Sequence, residues 1–277
     1  MKKNKLIAPF LKWVGGKRQL MPAINELLPK KYSTYYEPFV GGGAVLFEIQ
    51  PKKAIVNDFN SELVNTYNVI KNQPEELIED LKTHVNESEY FYNIRALDRQ
   101  EGFDELSDVK KASRVIFLNK TCYNGLYRVN NSGEFNSPFG KYKNPNIVND
   151  VTIRAVSKYF NANDITIING DFESAVKNIR KGAFVYFDPP YDPVSKSSNF
   201  TGYVQGGFNI FDQIRLRDLC IKLNEKGVKF LVSNSSTQRI LDLYSDFNIT
   251  FVKANRSINS NSSKRGEVDE VLIRNYE

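Results

Sequence analysis

A chain of 277 residues, 41% hydrophobic and 25% charged, can bury one large core or one core plus a smaller inserted unit. Two cysteines, Cys122 and Cys220, make neither a disulfide framework nor a zinc cluster, and the single histidine, His84, lies among polar residues, which argues against a His base or His-rich metal ligation. The net charge of +6 favours a polyanionic partner, with Lys2, Lys3, Lys5, Lys12, Lys17 and Arg18 crowding the start and Arg256, Lys264 and Arg265 near the end.

No apolar stretch approaches a membrane span, and the Lys-rich start lacks the apolar run of a signal peptide, so a cytoplasmic protein is expected. In chain order, Phe10-Leu11-Lys12-Trp13-Val14-Gly15-Gly16-Lys17-Arg18 is a glycine turn with the only tryptophan. It reads either as an N-terminal segment docked by Trp13 or as a lid on a ligand, with Lys17 near a carboxylate. Tyr35 to Phe39 reads as a buried strand, and Glu37-Pro38-Phe39-Val40-Gly41-Gly42-Gly43 leads into a helix over Ala44–Ile49. Glycines there allow a tight turn and close approach of a ligand to the main chain at a helix start. The next strand, Ala54 to Asn57, ends in Asp58, where an acidic residue is placed to take ribose hydroxyls. This is not the dinucleotide fingerprint, because Phe47 stands where a third glycine would fall. A helix follows over Ser61–Ile70.

From about Gln73 to Asn163 no strong buried strand is read. Glu75–Val85, Glu89–Arg99 and Val109–Lys120 have helical spacing with many charges, and the Asn-Ser-Gly turn within Tyr123–Phe135 reads as a β-hairpin. The βαβ rhythm then resumes with a strand at Ile165–Ile168, the loop Gly170-Asp171-Phe172 and a helix over Phe172–Ile179. Asp171 reads equally as a helix N-cap or as an acceptor for the amine of a bound adenine, with Phe172 on its ring. The buried run Ala183–Phe187 ends in Asp188-Pro189-Pro190-Tyr191. Both prolines lack an N–H and have a fixed φ, so the turn is stiff and its carbonyls face a site instead of a ladder. A carboxylate, a carbonyl and an aromatic face together suit a flat amine such as that of a nucleobase. A helix over Phe211–Glu225, a strand at Val228–Val232, a helix over Gln238–Tyr244 and an antiparallel hairpin of Asn248–Ala254 with Val268–Tyr276 complete the pattern. The loops at 195–208 and 256–266 read either as substrate-contacting segments or as plain loops.

These pieces, in this order, resemble the amino-group DNA methyltransferases of the Dam type, which make N6-methyladenine, and most of all the DpnII-type enzymes acting on GATC. The likeness runs from Phe10–Arg18 through Glu37–Gly43 and Asn57-Asp58 to Gly170–Phe172 and Asp188–Tyr191. Cytosine-N4 enzymes usually carry Ser, and glutamine enzymes Asn, at the place of Asp188.

The resemblance implies an α/β fold: a doubly wound, mostly parallel, seven-stranded, Rossmann-like sheet with an inserted, mainly helical subdomain carrying a β-hairpin. Residues 1–72 and 164–277 would form the catalytic domain and 73–163 the DNA target-recognition domain. It implies S-adenosylmethionine as cofactor, held by Trp13, Lys17, Phe39, Gly41, Gly43, Asp58, Asp171, Phe172 and Asp188. Asp188, Pro189 and Tyr191 would be catalytic. Lys12, Asn124, Leu126, Arg128, Pro138 and Tyr142 would meet double-stranded DNA, with Arg128 on a guanine edge and Leu126 as an apolar wedge. Without the resemblance, Lys12 and Arg128 read as solvated surface charges. A monomer or weak dimer, with no metal and no membrane association, is expected. Two other readings stay open: an adenine methyltransferase acting on structured RNA, and a catalytically silent DNA-binding module on the same fold.

Overall fold

The computed structural model describes residues 3–13, 15–17, 19–194, 207–255 and 267–277. Arg18, most of the loop at 195–208 and the loop at 256–266 lie outside the described residues. The elements are α1 (Met21–Leu27), β1 (Tyr35–Glu37), α2 (Ala44–Ile49), β2 (Lys53–Asp58), α3 (Ser61–Asn72), α4 (Pro74–Leu81), α5 (Ser88–Ala96), α6 (Asp108–Thr121), α7 (Asp150–Ala162), β3 (Asp164–Asn169), α8 (Phe172–Ala175), β4 (Phe184–Phe187), α9 (Ile210–Glu225), β5 (Lys229–Ser235), α10 (Gln238–Leu243), β6 (Asn248–Asn255) and β7 (Glu267–Arg274). The strands form a seven-stranded sheet in the order β3-β2-β1-β4-β5-β7-β6. β2 with β3, β1 with β4, and β4 with β5 pair in parallel, whereas β7 runs antiparallel to both β5 and β6. This is the mixed α/β sheet the βαβ rhythm predicts.

The chain divides into two compact units, one of Met1–Gly16, Val40–Asp171 and Gly202–Gly207, the other of Lys17–Phe39, Phe172–Thr201 and Phe208–Glu277. In the first unit, β2 and β3 pair from Lys53↔Asp164 to Asp58↔Asn169. Helix α3 starts where the Asn60 side chain accepts from the Leu63 amide at 2.9 Å, and it buries Leu63, Val64, Tyr67, Val69 and Ile70. Helices α6 and α7 pack on α3, and α4 packs on α6. The three predicted helices of the middle segment appear as α4, α5 with a short 3₁₀ turn at Leu97–Arg99, and α6. Sequence reading missed α7, although Asn149 caps it and Ile153, Val156 and Phe160 recur at helical spacing. It also missed α1, which opens on Met21 and Pro22.

The predicted hairpin around Asn131-Ser132-Gly133 folds back on itself but forms bridges rather than strands. Val129 pairs with Phe135, and Cys122 with Phe139. At the tip, Asn130 Oδ1 accepts from the amides of Ser132 and Glu134, both at 3.0 Å. Such side-chain acceptors compete with the ladder for backbone donors and keep the pairing short.

In the second unit, β4 is buried at all four positions, which is why it reads as an unbroken apolar run. The helix predicted over Phe172–Ile179 is a correction: it ends at Ala175. Beyond it, amide bonds from Val176 to Glu173 and from Ile179 to Val176 tighten the chain into three-residue turns. Helix α9 begins in a capping box, with the Asn209 side chain accepting from Phe211 and the Asp212 side chain accepting from the Asn209 amide. The terminal hairpin forms as predicted, with its second strand, β7, beside β5. Among the described residues, no helix is long and apolar enough to cross a membrane, and both cysteines are free and buried.

Candidate active site

Strand β4 delivers Asp188 to the carboxyl end of the sheet, and the two prolines that follow end the strand because neither can donate to a ladder. The Asp188 carboxylate is held at both oxygens. Oδ2 lies 2.7 Å from the Lys17 ammonium, and Oδ1 accepts from the Ser233 hydroxyl at 2.8 Å. Ser233 reaches it because β5 runs parallel to β4 in the register Phe187↔Val232, one residue short of Ser233. With the Ser233 proton given to Asp188, the Tyr186 hydroxyl donates to Ser233 at 3.1 Å. Burial pushes the Asp188 carboxyl above its ordinary range, while the Lys17 charge, its hydrogen bond and the Ser233 hydrogen bond pull the other way. A carboxylate offers about four lone-pair sites, so two partners leave it further acceptor capacity.

Tyr191, half-buried, donates its hydroxyl to Glu270 Oε2 at 2.9 Å, and the Lys17 ammonium lies 4.9 Å from its ring centroid. Burial, then the charges of Asp188 and Glu270, hold the Tyr191 phenol well above its ordinary range, so it stays neutral. A carboxylate, an ammonium and a flat aromatic face thus meet at one strand end.

Phe39 and Phe172, also in this unit, stack on each other at 5.3 Å and 27°. The Arg215 guanidinium lies over the Phe172 ring at 4.9 Å, and Phe208 meets Phe39 edge-on at 5.7 Å.

In the first unit, the glycine loop turns through left-handed Gly41 (φ +48°) and Gly43 (φ +73°). A side chain on Gly43 would strike the Tyr67 hydroxyl at 2.6 Å, and one on Gly41 would strike the Trp13 ring at 2.8 Å, so both conformation and space require glycine. The Gly41 amide donates to Asp58 Oδ2 and the Asn60 amide to Oδ1, both at 2.9 Å, and the Tyr67 hydroxyl donates to the Gly41 carbonyl at 2.9 Å. Burial raises the Asp58 carboxyl, against the pull of these amides. Trp13 is docked on this loop, its indole stacked on Tyr127 at 4.9 Å and 26°. Asp171 is half-buried between β3 and α8, next to Gly170, whose carbonyl accepts from the Asn57 side chain at 3.0 Å.

The predicted DNA residues share this unit. The Asn119 side chain clamps the Lys12 backbone at both N–H and C=O, each at 2.8 Å, and also donates to the Gly125 carbonyl at 3.1 Å. That clamp sets Lys12 against Gly125 and its ammonium 5.5 Å from the Tyr142 ring. Asn124 and Pro138 are exposed, and Leu126 is half-buried. Arg128 donates from Nε to Asn136 Oδ1 at 2.6 Å and from its terminal nitrogen to the Asn136 carbonyl at 3.2 Å.

Sequence reading missed Asn119 and the buried charge centre beneath the hairpin. Arg114, 2% exposed, pairs with Glu62 at 3.0 Å and Asp98 at 2.6 Å and donates to the carbonyls of Ile94 and Arg95. Tyr127 donates to the other Glu62 oxygen at 2.7 Å. The available signal was an arginine flanked by small and apolar residues on α6. Among the described residues, no group of three or more His, Cys, Asp or Glu is placed to hold a metal ion.

Comparison with known proteins bears on this arrangement. Residues 13–258 match the family model of the D12 class N6 adenine-specific DNA methyltransferases. The type II methyltransferase M1.LlaDCHI of Lactococcus lactis subsp. cremoris is 49% identical over 279 residues, spanning 100% of this chain and 98% of that protein. The type II methyltransferase M.MjaIII of Methanocaldococcus jannaschii is 43% identical, over 98% of this chain and 99% of that protein. The DNA adenine methylase of Serratia marcescens is 37% identical, over 98% of each.

Proposed function

Because the chain belongs to the D12 class of N6 adenine-specific DNA methyltransferases, we propose that it methylates adenine N6 within duplex GATC, drawing the methyl group from S-adenosylmethionine and acting on a base turned out of the helix. The observation that carries this reading is Asp188 at the end of β4, its carboxylate held between Lys17 and Ser233 beside the Tyr191 ring.

Adenine N6 is a poor nucleophile because its lone pair is delocalised into the ring. In the proposed mechanism, N6 donates one hydrogen to Asp188 and the other to the Pro189 carbonyl. These acceptors draw the nitrogen toward a tetrahedral shape and stabilise the positive charge that develops on it, which is discharged when one of the two N6 protons is lost to solvent. Holding the amine in line with the donor can supply about 7–11 kcal/mol of the barrier. Tyr191 stacks on the extruded base, and Glu270, by accepting its hydroxyl, fixes the ring. Extrusion is required because N6 is buried in a paired, stacked duplex.

The cofactor residues we assign are Trp13, Gly41, Gly43, Asp58 and Asp171 in the first unit and Lys17, Phe39, Phe172 and Asp188 in the second. Their chemistry fits a charged nucleoside. The two amide bonds to Asp58 leave lone pairs for hydroxyls, the left-handed glycines expose main chain at the start of α2, and the Phe39–Phe172 stack offers a surface for a flat ring. When bound, the cofactor supplies an electrophilic methyl group on a sulfonium centre.

Residues 73–163 form the proposed target-recognition segment, with Asn124, Leu126, Arg128, Pro138 and Tyr142 on the DNA side and Lys12 joining them. The two guanidinium bonds to Asn136 fix the plane of Arg128, which suits the bidentate reading of a guanine.

The test is transfer of a labelled methyl group into plasmid DNA, followed by digestion with nucleases blocked by, and nucleases dependent on, methylation at GATC. Asp188→Ala is expected to abolish transfer while DNA binding survives. Near-normal turnover by that variant, or a label at other sequences, would overturn the reading.

A further inference from the structure

The peptide groups on either side of Tyr191 are both fastened to one buried pair of amide side chains. Before it, the Pro190 carbonyl accepts from Gln213 Nε2 at 2.9 Å. After it, the Asp192 amide donates to Asn234 Oδ1 at 3.1 Å. The two side chains close the circuit, Asn234 Nδ2 donating to Gln213 Oε1 at 3.0 Å. Gln213, on α9, is 1% exposed and Asn234, on β5, is 0% exposed. Asn234 Oδ1 also accepts from the Ser235 amide at 2.9 Å, which fixes the orientation of that amide group. Asp192 is anchored separately, its carboxylate accepting from Thr237 at 2.7 Å and Arg239 at 2.9 Å and its carbonyl from the Ser235 hydroxyl at 2.6 Å.

This circuit restrains the turn where the strand cannot. The prolines deny it ladder donors, so its main-chain groups find side-chain partners instead. A buried amide pair is a directional restraint, because each lost bond leaves an unsatisfied polar group in a medium of low dielectric. The hydroxyl of Tyr191 has its own fixed partner in Glu270. The ring is therefore held at the peptide before it, the peptide after it and its far tip.

We propose that Gln213 and Asn234 are positioning residues for the reaction, acting through the Pro190 carbonyl and the Asp192 amide to hold Tyr191, and the turn that starts at Asp188, in the pose that receives the target base. This rests on the reading of Asp188–Tyr191 given above. Neither residue touches substrate.

The experiment uses the full chain with Gln213→Met, which keeps length and removes both bonds, and Gln213→Leu, which removes them with a shorter, branched side chain. Duplex GATC DNA, plain or with 2-aminopurine at the target adenine, and S-adenosylmethionine are the probes. Both variants are expected to melt cooperatively, somewhat below the wild-type temperature because buried polar groups lose their partners, and to bind DNA and cofactor within about twofold of wild type, while kcat falls about 10–100-fold at a temperature where both are folded. The 2-aminopurine signal is expected to exceed that of wild type, because the extruded base loses its stacking on Tyr191. A wild-type kcat in either folded variant overturns the proposal, as does a fall in kcat matched by lost DNA affinity or by loss of cooperative unfolding. If neither variant folds, the pair serves only the fold and the proposal is likewise overturned. A wild-type chain that leaves the duplex unmethylated sinks the underlying reading, whereas an active wild type with indifferent variants sinks this proposal alone.

Discussion

In the proposed mechanism Asp188 acts as the carboxylate, the stronger acceptor, and its surroundings pull in opposite directions. Burial favours the neutral acid, and Lys17 and Ser233 favour the carboxylate. Removing the Ser233 hydroxyl takes away one bond that stabilises the charged form. Ser233→Ala should therefore move the acid limb of kcat/KM to higher pH and leave activity above that limb largely intact. A pH–rate profile checks it; an unmoved limb would mean that Ser233 does not tune the carboxylate. Arg128 is the matching case on the proposed DNA side. Arg128→Ala should relax discrimination at one position of the site, worth about 1–3 kcal/mol there. Methylation of single-base variants of GATC measures it, and an equal loss on every variant would show a phosphate contact instead.

Elements explain which residues were legible. The apolar run of β4 is readable because a strand buried on both faces has no polar alternation to hide it, and its tetrapeptide end sets the proposed catalytic groups in consecutive letters. The glycine turn before α2 is readable for the same reason. Ser233, Gln213 and Asn234 are not, because what they do depends on the parallel register of β5 beside β4 and on the face of α9, neither of which is written locally. Asn119 clamps Lys12 across 107 positions of sequence, beyond any motif. The hairpin tip was readable as a turn, but the side-chain bonds of Asn130 that keep its pairing to isolated bridges were not. The glycine turn yields its own test. Gly43→Ala forces a Cβ into left-handed backbone and against the Tyr67 hydroxyl, so it should cost at least about 1–2 kcal/mol. Urea unfolding measures the loss, and a variant as stable as wild type would show that the loop relaxes freely.

For the whole molecule, one route by which pH acts on stability is the only histidine. His84 stacks on Phe117 at 4.4 Å and bonds to the hydroxyls of Tyr90 and Ser113, both at 2.9 Å. Burial, outweighing the charge of Asp80, lowers its pKa from 6.5 to about 4. The unfolded chain therefore takes up a proton first as pH falls. The stability attached to neutral His84 is complete above pH 6.5, declines between 6.5 and about 4, and is lost below that. His84→Gln should flatten this part of the stability profile. The lone imidazole resonance, followed by NMR, should titrate near 4 in the folded protein. A midpoint near the free-histidine value would contradict the packing around it.

Trp13, the sole indole of the chain, rests against Gly41 and lies in parallel with the ring of Tyr127, one residue from Arg128. Its emission is thus a built-in optical gauge that needs no attached dye. If the proposed cofactor and DNA sites both adjoin Trp13, a nucleoside and an oligonucleotide should each leave its own spectral trace on the same chromophore, and the order of their assembly can be followed in real time on the unmodified protein.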